Sequence, residues 1–376
     1  MRTKSFYLVP AVLIISVAIL ISCAGKSNSN TSATTPAANT HQLGDTAAAL
    51  GNNLMIVFQD KKNNYWFGTQ NDGVYHIDGK TISHITTAHG LSSNTIRQIQ
   101  EDVSGNIYFT TTQGIHKFDG KTLTKLEVNP QNYTFSEWQL NPTDLWFSGI
   151  DNTHLIYRYD GKTLHPLKIP KTKLGEMQAS KLGDANYSPY DIYKIHKDSR
   201  GHIWFGTAQV GAFRYDGSSF AWISDEDATE MHDGPSNGVR SFVEDKEGDF
   251  WLSNTLAQYH VDPDNSTASD PDLYGAREIK YTKEKGIGPY TKDPSGLMVD
   301  YLSAIKDHEG NIWFVTYLSG VYKYNGQKLE HFEILEQGKQ IKLFSVYQDR
   351  QNQLWLGTHE HGTYKFDGAA FVKFVP

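Results

Sequence analysis

An aromatic residue returns seven times along the chain in nearly the same local setting: Trp66, Tyr108, Trp146, Trp204, Trp251, Trp313 and Trp355, each opening a run similar to Trp-Phe-Gly-Thr. A short unit repeated at this period cannot bury its apolar face alone, so successive copies must stack on one another. Six residues before the aromatic stands an aspartate in six copies (Asp60, Asp102, Asp198, Asp245, Asp307 and Asp349); the third copy has Leu140 instead. Three residues before it stand Asn63, Gly105, Gly201, Gly248, Gly310 and Asn352, with Thr143 the exception. Asparagine and glycine accept the positive φ of a tight reversal between antiparallel strands, so the spacing predicts strand, turn, strand.

A glycine follows the aromatic by seven residues in four copies (Gly73, Gly211, Gly320 and Gly362) and by six in the second (Gly114), and a third strand is expected after it. That strand ends in Asp78-Gly79, Asp119-Gly120, Asp160-Gly161, Asp216-Gly217, Asn325-Gly326 or Asp367-Gly368. These dipeptides are strong hairpin signals and lead into a fourth strand. The fifth copy has Asp262-Pro263 there, a weaker signal. Four antiparallel strands per unit and seven units predict an all-β chain folded as a seven-bladed β-propeller over residues 50–376. The aromatics are 42, 38, 58, 47, 62 and 42 residues apart, so the longer intervals hold insertions.

The string IRQIQEDVSGNIYFTTTQGIHKFDGK, echoed by IYKIHKDSRGHIWFGTAQVGAFRYDG and LSAIKDHEGNIWFVTYLSGVYKYNGQ, resembles the two-component-regulator propeller repeat. In that family such repeats form the extracytoplasmic sensor part of bacterial membrane kinases and also occur in free-standing exported proteins. The resemblance extends over residues 50–376. It implies a sensor-like propeller, here without a kinase-like segment.

The N-terminus begins with Arg2 and Lys4, continues apolar from Phe6 to Ile21 and reaches Leu20-Ile21-Ser22-Cys23. A charged start, an apolar stretch and a small residue before the cut describe an export signal over residues 1–22. The last four residues resemble the bacterial lipobox, which implies lipidation of Cys23, the only cysteine. An uncleaved membrane anchor is the alternative. Residues 23–49 are small and polar and are expected to form a disordered tether. The chain is thus expected in the bacterial cell envelope, periplasmic or surface-facing, held to a membrane through Cys23. Its balance of 35 basic and 42 acidic residues argues against nucleic acid as a partner.

The periodic aromatics are expected to fill the space between blades, and the periodic aspartates to cap turns. Function is expected where the period breaks. One such set is the loops joining second and third strands, with Tyr317, His359, Glu360 and His361 among their residues. The other is the approach to each innermost strand, where Asn94, Tyr190, Asn237, Arg240, Tyr301 and Lys342 lie. Tyrosines that stack and polar groups that hydrogen-bond suggest a carbohydrate first, with another small molecule or an envelope protein as alternatives. Two insertions, from His165 to Tyr190 and from Asp262 to Asp300, are expected as loops on the same face.

Catalysis is not expected. The runner-up is a lyase, because the streptogramin-type lyases are seven-bladed rings that use a histidine with a divalent ion. His359, Glu360 and His361 would be its first candidates, since the two histidines would face one side of an extended segment. No cofactor is expected; Asp262, Asp264 and Asp270 are spaced as in a calcium or magnesium loop but lack the glycine and glutamate of an EF-hand.

Overall fold

A computed structural model describes residues 43–128, 140–149, 155–182, 188–223, 238–253, 255, 257–266, 277–285 and 301–376. The expected signal, Cys23 and most of the tether lie outside them. The described chain forms antiparallel meanders in sequence order, each running from an innermost to an outermost strand. Among the described residues the only helices are Lys173–Leu182 and the single 3₁₀ turn Thr87–His89. The third meander shows three strands, from Leu145–Ser148 to Leu164–Leu167. The fourth and fifth share one eight-stranded sheet, because Phe220–Ile223 runs parallel to Arg277–Lys285.

Burial shows why the meanders are wedges of a ring. Seven apolar cores are present, and each is built by two neighbouring meanders. Trp66 packs on Ile96, Ile99 and Phe109 of the second wedge, and Trp204 on Phe242 and Phe250 of the fifth. The series closes when Trp355 of the seventh wedge packs against Leu54 and Phe67 of the first. Each periodic aromatic therefore fills the gap to the following wedge, and four of the tryptophans are almost wholly buried. The Gly206 and Gly357 positions, two residues after the aromatic, serve close approach. A Cβ there would come within 2.2 Å of Val239 O and 2.3 Å of Met55 O on the next wedge.

The aspartates carry a second repeated function. Asp307 accepts the backbone N–H of Glu309 and Asn311 at 3.0 and 2.8 Å on one carboxylate oxygen, and the Trp313 indole N–H at 2.8 Å on the other. Asp60, Asp198, Asp245 and Asp349 do the same for Trp66, Trp204, Trp251 and Trp355. Asp102 accepts the Tyr108 hydroxyl at 2.9 Å. The turn itself requires the left-handed residue seen at Asn63 and Asn352, with φ of 67° and 65°. The third wedge substitutes a turn at Asn141–Asp144, whose carboxylate accepts Arg158 Nε at 2.6 Å.

Three expectations change. The fold begins before residue 50: Asp45–Ala47, assigned to the tether, pairs with Thr81–Ile85 as a fifth, outer strand of the first sheet. The segment after Asp262 is not one long loop, because Ala257–Ser266 pairs with Arg277–Lys285 and Tyr281 sits in that ladder against Tyr259. The fifth hairpin consequently does not turn at Asp262-Pro263. In the insertion after His165, the helix Lys173–Leu182 forms behind Thr172, whose hydroxyl accepts the Gly175 N–H at 3.0 Å.

Asp349→Ala, which strands an indole and two turn amides, is expected to lower the unfolding free energy by about 2–4 kcal/mol. Asp119→Ala, in an exposed hairpin turn, should cost under about 1 kcal/mol. Urea denaturation giving equal losses would contradict the bracing role.

Burial also pushes His76, His116 and His196 down to about 4 from an ordinary 6.5. They are neutral in the fold, whereas the unfolded chain takes up protons below pH 6.5. Stability fully present above pH 6.5 is therefore lost as pH falls toward 4. Melting temperatures recorded across that window should decline steadily; a flat profile would refute the assignment.

Candidate functional site

Hydrogen bonds bring the two irregular sets of segments to one face. Gly73 N–H donates to Asn94 O at 2.8 Å, Ala208 N–H to Asp191 O at 2.9 Å, and Val239 N–H to Thr207 O at 2.9 Å. On the other side of the ring Leu343 N–H donates to Tyr317 O, His359 N–H to Lys342 O and Gly362 N–H to Asn52 O. The threonine three residues after the aromatic locks the loop. Thr69, Thr207, Thr316 and Thr358 each donate to the carbonyl of the following glycine at 2.6–2.9 Å.

On this face the innermost strands share a device. The first, second, fourth, sixth and seventh shift register at the same step, leaving Met55, Arg97, Tyr193, Leu302 and Phe344 as extra residues. Each stands five residues before the wedge's aspartate, and Arg240 holds that place in the fifth wedge. The equivalent Phe135 lies outside the described residues. A bulge re-aims a side chain and stops pairing, and bulges gather beside functional sites. Going round the ring, Leu302, Phe344 and Met55 make an apolar arc over three consecutive wedges, in which Leu302 and Met55 are buried and Phe344 is half-buried. Arg97, Tyr193 and Arg240 make a polar one.

Contacts within the polar arc are close. The Arg240 guanidinium lies 4.0 Å over the Tyr193 ring, a cation–π geometry. Its backbone is fixed, since Arg240 N–H donates to Ser253 Oγ at 2.7 Å. Arg97 is exposed, yet enough protein flanks it for desolvation to pull its pKa below the ordinary guanidinium value; Asp191 and Tyr193 oppose this, and Arg240 reinforces it. Four groups from the second, fourth and fifth wedges thus share one electrostatic neighbourhood. Beside Tyr193, burial also lowers the Lys194 ammonium. Among the described residues neither the Arg97 guanidinium nor the Lys194 ammonium has a hydrogen bond or ion pair; the Lys194 backbone pairs with Gly206. Opposite, His359 packs edge-on to Tyr317 and Phe344 with ring centroids 6.1 and 6.0 Å apart, and burial followed by Lys342 lowers its pKa.

The expected site residues separate accordingly. Arg240 belongs to the polar arc, and Tyr317, Lys342 and His359 line the same face. Asn94 has a local task, accepting Thr87 N–H through Oδ1 at 2.8 Å. Tyr190 is structural: its hydroxyl accepts Thr172 N–H at 2.8 Å and donates to Thr172 O at 3.2 Å, while its ring packs on the core between the third and fourth wedges. Tyr301 is not at the surface. It is 3% exposed against Phe314, in the column that holds Leu54, Ile96, Ile192, Val239 and Leu343 elsewhere.

The histidine pair does not converge. Residues 359–361 form a turn in which Thr358 Oγ1 accepts His361 N–H at 3.0 Å, so the extended spacing that would align them is absent. His361 bonds Glu336, on the hairpin of Leu335–Glu336 and Lys339–Gln340, and Glu336 also takes Lys373 at 2.6 Å. Glu360 is exposed. Among the described residues no three His, Cys, Asp or Glu side chains are grouped to hold a metal. Asp262 and Asp264 fall in the strand Ala257–Ser266, an extended backbone in place of a cation loop; their side chains, Asp270 and Asn237 lie outside the described residues.

Arg97, Tyr193 and Phe344 were not singled out from the sequence. Their signal is a column of unlike residues immediately after a column of apolar ones, visible once the copies are aligned on the aspartate. At the opposite end, where the third wedge lacks the aspartate turn, a cavity of about 470 Å³ opens between Leu140, Pro142, Lys197, Arg200 and His202.

The Tyr301 hydroxyl is buried without a partner among the described residues. Tyr301→Phe should therefore leave ligand binding unchanged and hold or raise stability, by up to about 1–3 kcal/mol. A clear destabilisation in thermal melts would show that the hydroxyl is satisfied.

The two component regulator propeller family matches residues 186–209, which span the first two strands of the fourth wedge. Curated protein sequences give no match. Among solved structures the chain is similar to virginiamycin B lyase from Staphylococcus aureus, with a TM-score of 0.57 and 12% identity over 82% of this chain and 93% of that one. It is similar to the extracellular domain of BT4673 from B. thetaiotaomicron at 0.54 and 18%, over 87% of this chain but only 40% of the other. YCF48 from Cyanidioschyzon merolae gives 0.51 and 11%, over 86% and 98%. At these identities the likeness is one of fold. Residues 186–209 match the two component regulator propeller repeat, and the frame that holds them is an all-β propeller.

Proposed function

We propose that the protein is an extracytoplasmic, lipid-anchored binding module, sensor-like or scaffolding, whose bulged face takes a carbohydrate. The observation that carries this reading is the position five residues before each aspartate: it holds the polar residues Arg97, Tyr193 and Arg240 on three wedges, with Arg97 exposed, and the half-buried Phe344 between the buried Leu302 and Met55 on the other three. Ligand sites combine such apolar surface with a few fixed polar groups. Sugars are recognised in this way, by stacking on an aromatic face and by planar hydrogen-bond donors. The matched repeat family and the likeness to a domain described as extracellular, from a hybrid two component system, support an envelope location. The lipobox-like Leu20-Ile21-Ser22-Cys23 supports the anchor.

A binding role is preferred to a catalytic one because His359 and His361 turn to separate partners. Lyase assays with and without divalent metal are expected to show no turnover. Tyr193→Ala should abolish binding on a glycan array while shifting the melting temperature by less than about 2 °C, on the order of 1 kcal/mol for a domain of this size. Binding that survives the change, or a protein captured stoichiometrically in place of any glycan, would redirect the reading. Cys23→Ala should move the protein from the membrane to the soluble fraction; unchanged sedimentation with membranes would remove the anchor.

A further inference from the structure

We propose that the protein has a second binding site, at the end of the ring opposite the bulged face, and that this site takes a small molecule bearing an oxyanion, a phosphate or a carboxylate. It is the cavity between the third and fourth wedges, which opens where two columns of the repeat fail together. In four wedges the residue just before the periodic aspartate is an acceptor that bridges to the preceding wedge. Glu101, Glu244, Gln348 and Gln59 accept the N–H of Lys61, Ser199, His308 and Arg350 at 2.7–3.0 Å, in each case the amide that follows the preceding wedge's aspartate. In the fourth wedge that place holds a donor instead, Lys197, whose Nζ reaches Pro142 O at 3.1 Å. The sixth wedge has a lysine there too, and Lys306 donates to Asp245 O at 2.9 Å over an intact aspartate turn. Only at the third-to-fourth junction does such a lysine meet a wedge whose aspartate is replaced, by Leu140. About 470 Å³ is left open there, in the size range of small-molecule sites.

Hydrogen-bond capacity identifies the guest. The acceptors that line the cavity are filled from within. Asp198 takes the Arg200 and His202 amides on one oxygen at 3.0 and 2.8 Å, and His202 Nδ1 and Trp204 Nε1 on the other at 3.1 and 2.9 Å. Asp216 takes the Ser218 and Ser219 amides on one oxygen, and the Ser219 hydroxyl and Arg277 on the other. Asn141 Oδ1 takes the Thr143 amide and hydroxyl. The donors, by contrast, are open. Among the described residues the Arg200 guanidinium and Asn141 Nδ2 have no partner, and Lys197 uses one of its three N–H groups, on Pro142. His202 Nε2 is also without a partner and becomes a donor when the ring is protonated. Filled acceptors and open donors select a guest rich in acceptors. Because Arg200 and Lys197 are cations, that guest is an oxyanion, two of whose oxygens a guanidinium fork meets at once. Leu140 and Pro142 supply an apolar wall for its carbon body.

The test uses the full-length protein and probes that are not carbohydrates, so that its outcome is separate from the reading of the bulged face. Inorganic phosphate, glycerol 3-phosphate, succinate and uncharged glycerol are titrated by calorimetry. The phosphates or succinate should bind and glycerol should not, with affinity falling as ionic strength rises. Preference between phosphates and succinate tells phosphate from carboxylate. Arg200→Gln should weaken binding about tenfold or more. Lys197→Glu, which restores the acceptor carried at that place by the second and fifth wedges, should abolish it. Melting curves verify that both variants fold, and neither should alter glycan binding. Absence of heat with every anion at low ionic strength, or affinities indifferent to both substitutions, would overturn the inference and leave the bulged face untouched.

Discussion

The fold depends on a carboxylate that reaches in two directions. Within each of six wedges, one oxygen of the periodic aspartate accepts the amides of a tight turn and the other accepts the N–H or O–H of the periodic aromatic six residues on. That aromatic is the residue that packs into the next wedge. The bond ties local turn geometry to inter-wedge packing, so a wedge cannot reverse its chain correctly without also presenting its aromatic at the right angle. Burial alone would raise the pKa of Asp198; His202 and Trp204 more than offset this and hold it ionised, below the ordinary carboxylate range. The same residue is thus turn former, indole acceptor and buried charge.

Closure of the ring follows from that packing. The last sheet is made wholly of residues from the C-terminal end and the first wholly of residues from the N-terminal end, with no strand shared between them. One backbone bond, Gly362 N–H to Asn52 O at 2.7 Å, and several side chains join them instead: Tyr65 donates to Asp349 at 2.6 Å, Ser345 donates to Met55 O at 2.6 Å, and Gln59 and Gln351 bond at 2.7 Å. Trp355 lies beneath, against Tyr65 and Phe67. The junction between the first and seventh wedges is chemically the same as the other packed junctions.

The frame was legible because its causes are local. A turn needs asparagine or glycine, the amides need a carboxylate, and the gap needs an indole, so each requirement leaves a residue at a fixed offset. The site was less legible because its cause is a backbone bulge, which any side chain tolerates. Arg97, Tyr193 and Phe344 therefore share a position but no chemistry. Tyr301 misled for the converse reason: a tyrosine near the start of an innermost strand reads as a surface group, although its column in the repeat is apolar. The histidines at 359 and 361 look paired only if the segment is extended, and Thr358 makes it a turn. Sequence also gave no sign that the fourth and fifth wedges would join.

That joining has a mechanical result. Where Phe220–Ile223 pairs with Arg277–Lys285 at the perimeter, two wedges share one sheet and are joined there by backbone hydrogen bonds and by Arg277 on Asp216, whereas the other described wedges keep separate sheets. The joined pair is the one that supplies Tyr193 and Arg240. Separating these two wedges would have to break a sheet as well as a packed core, so the spacing of Tyr193 and Arg240 is held from the outer rim as well as from within.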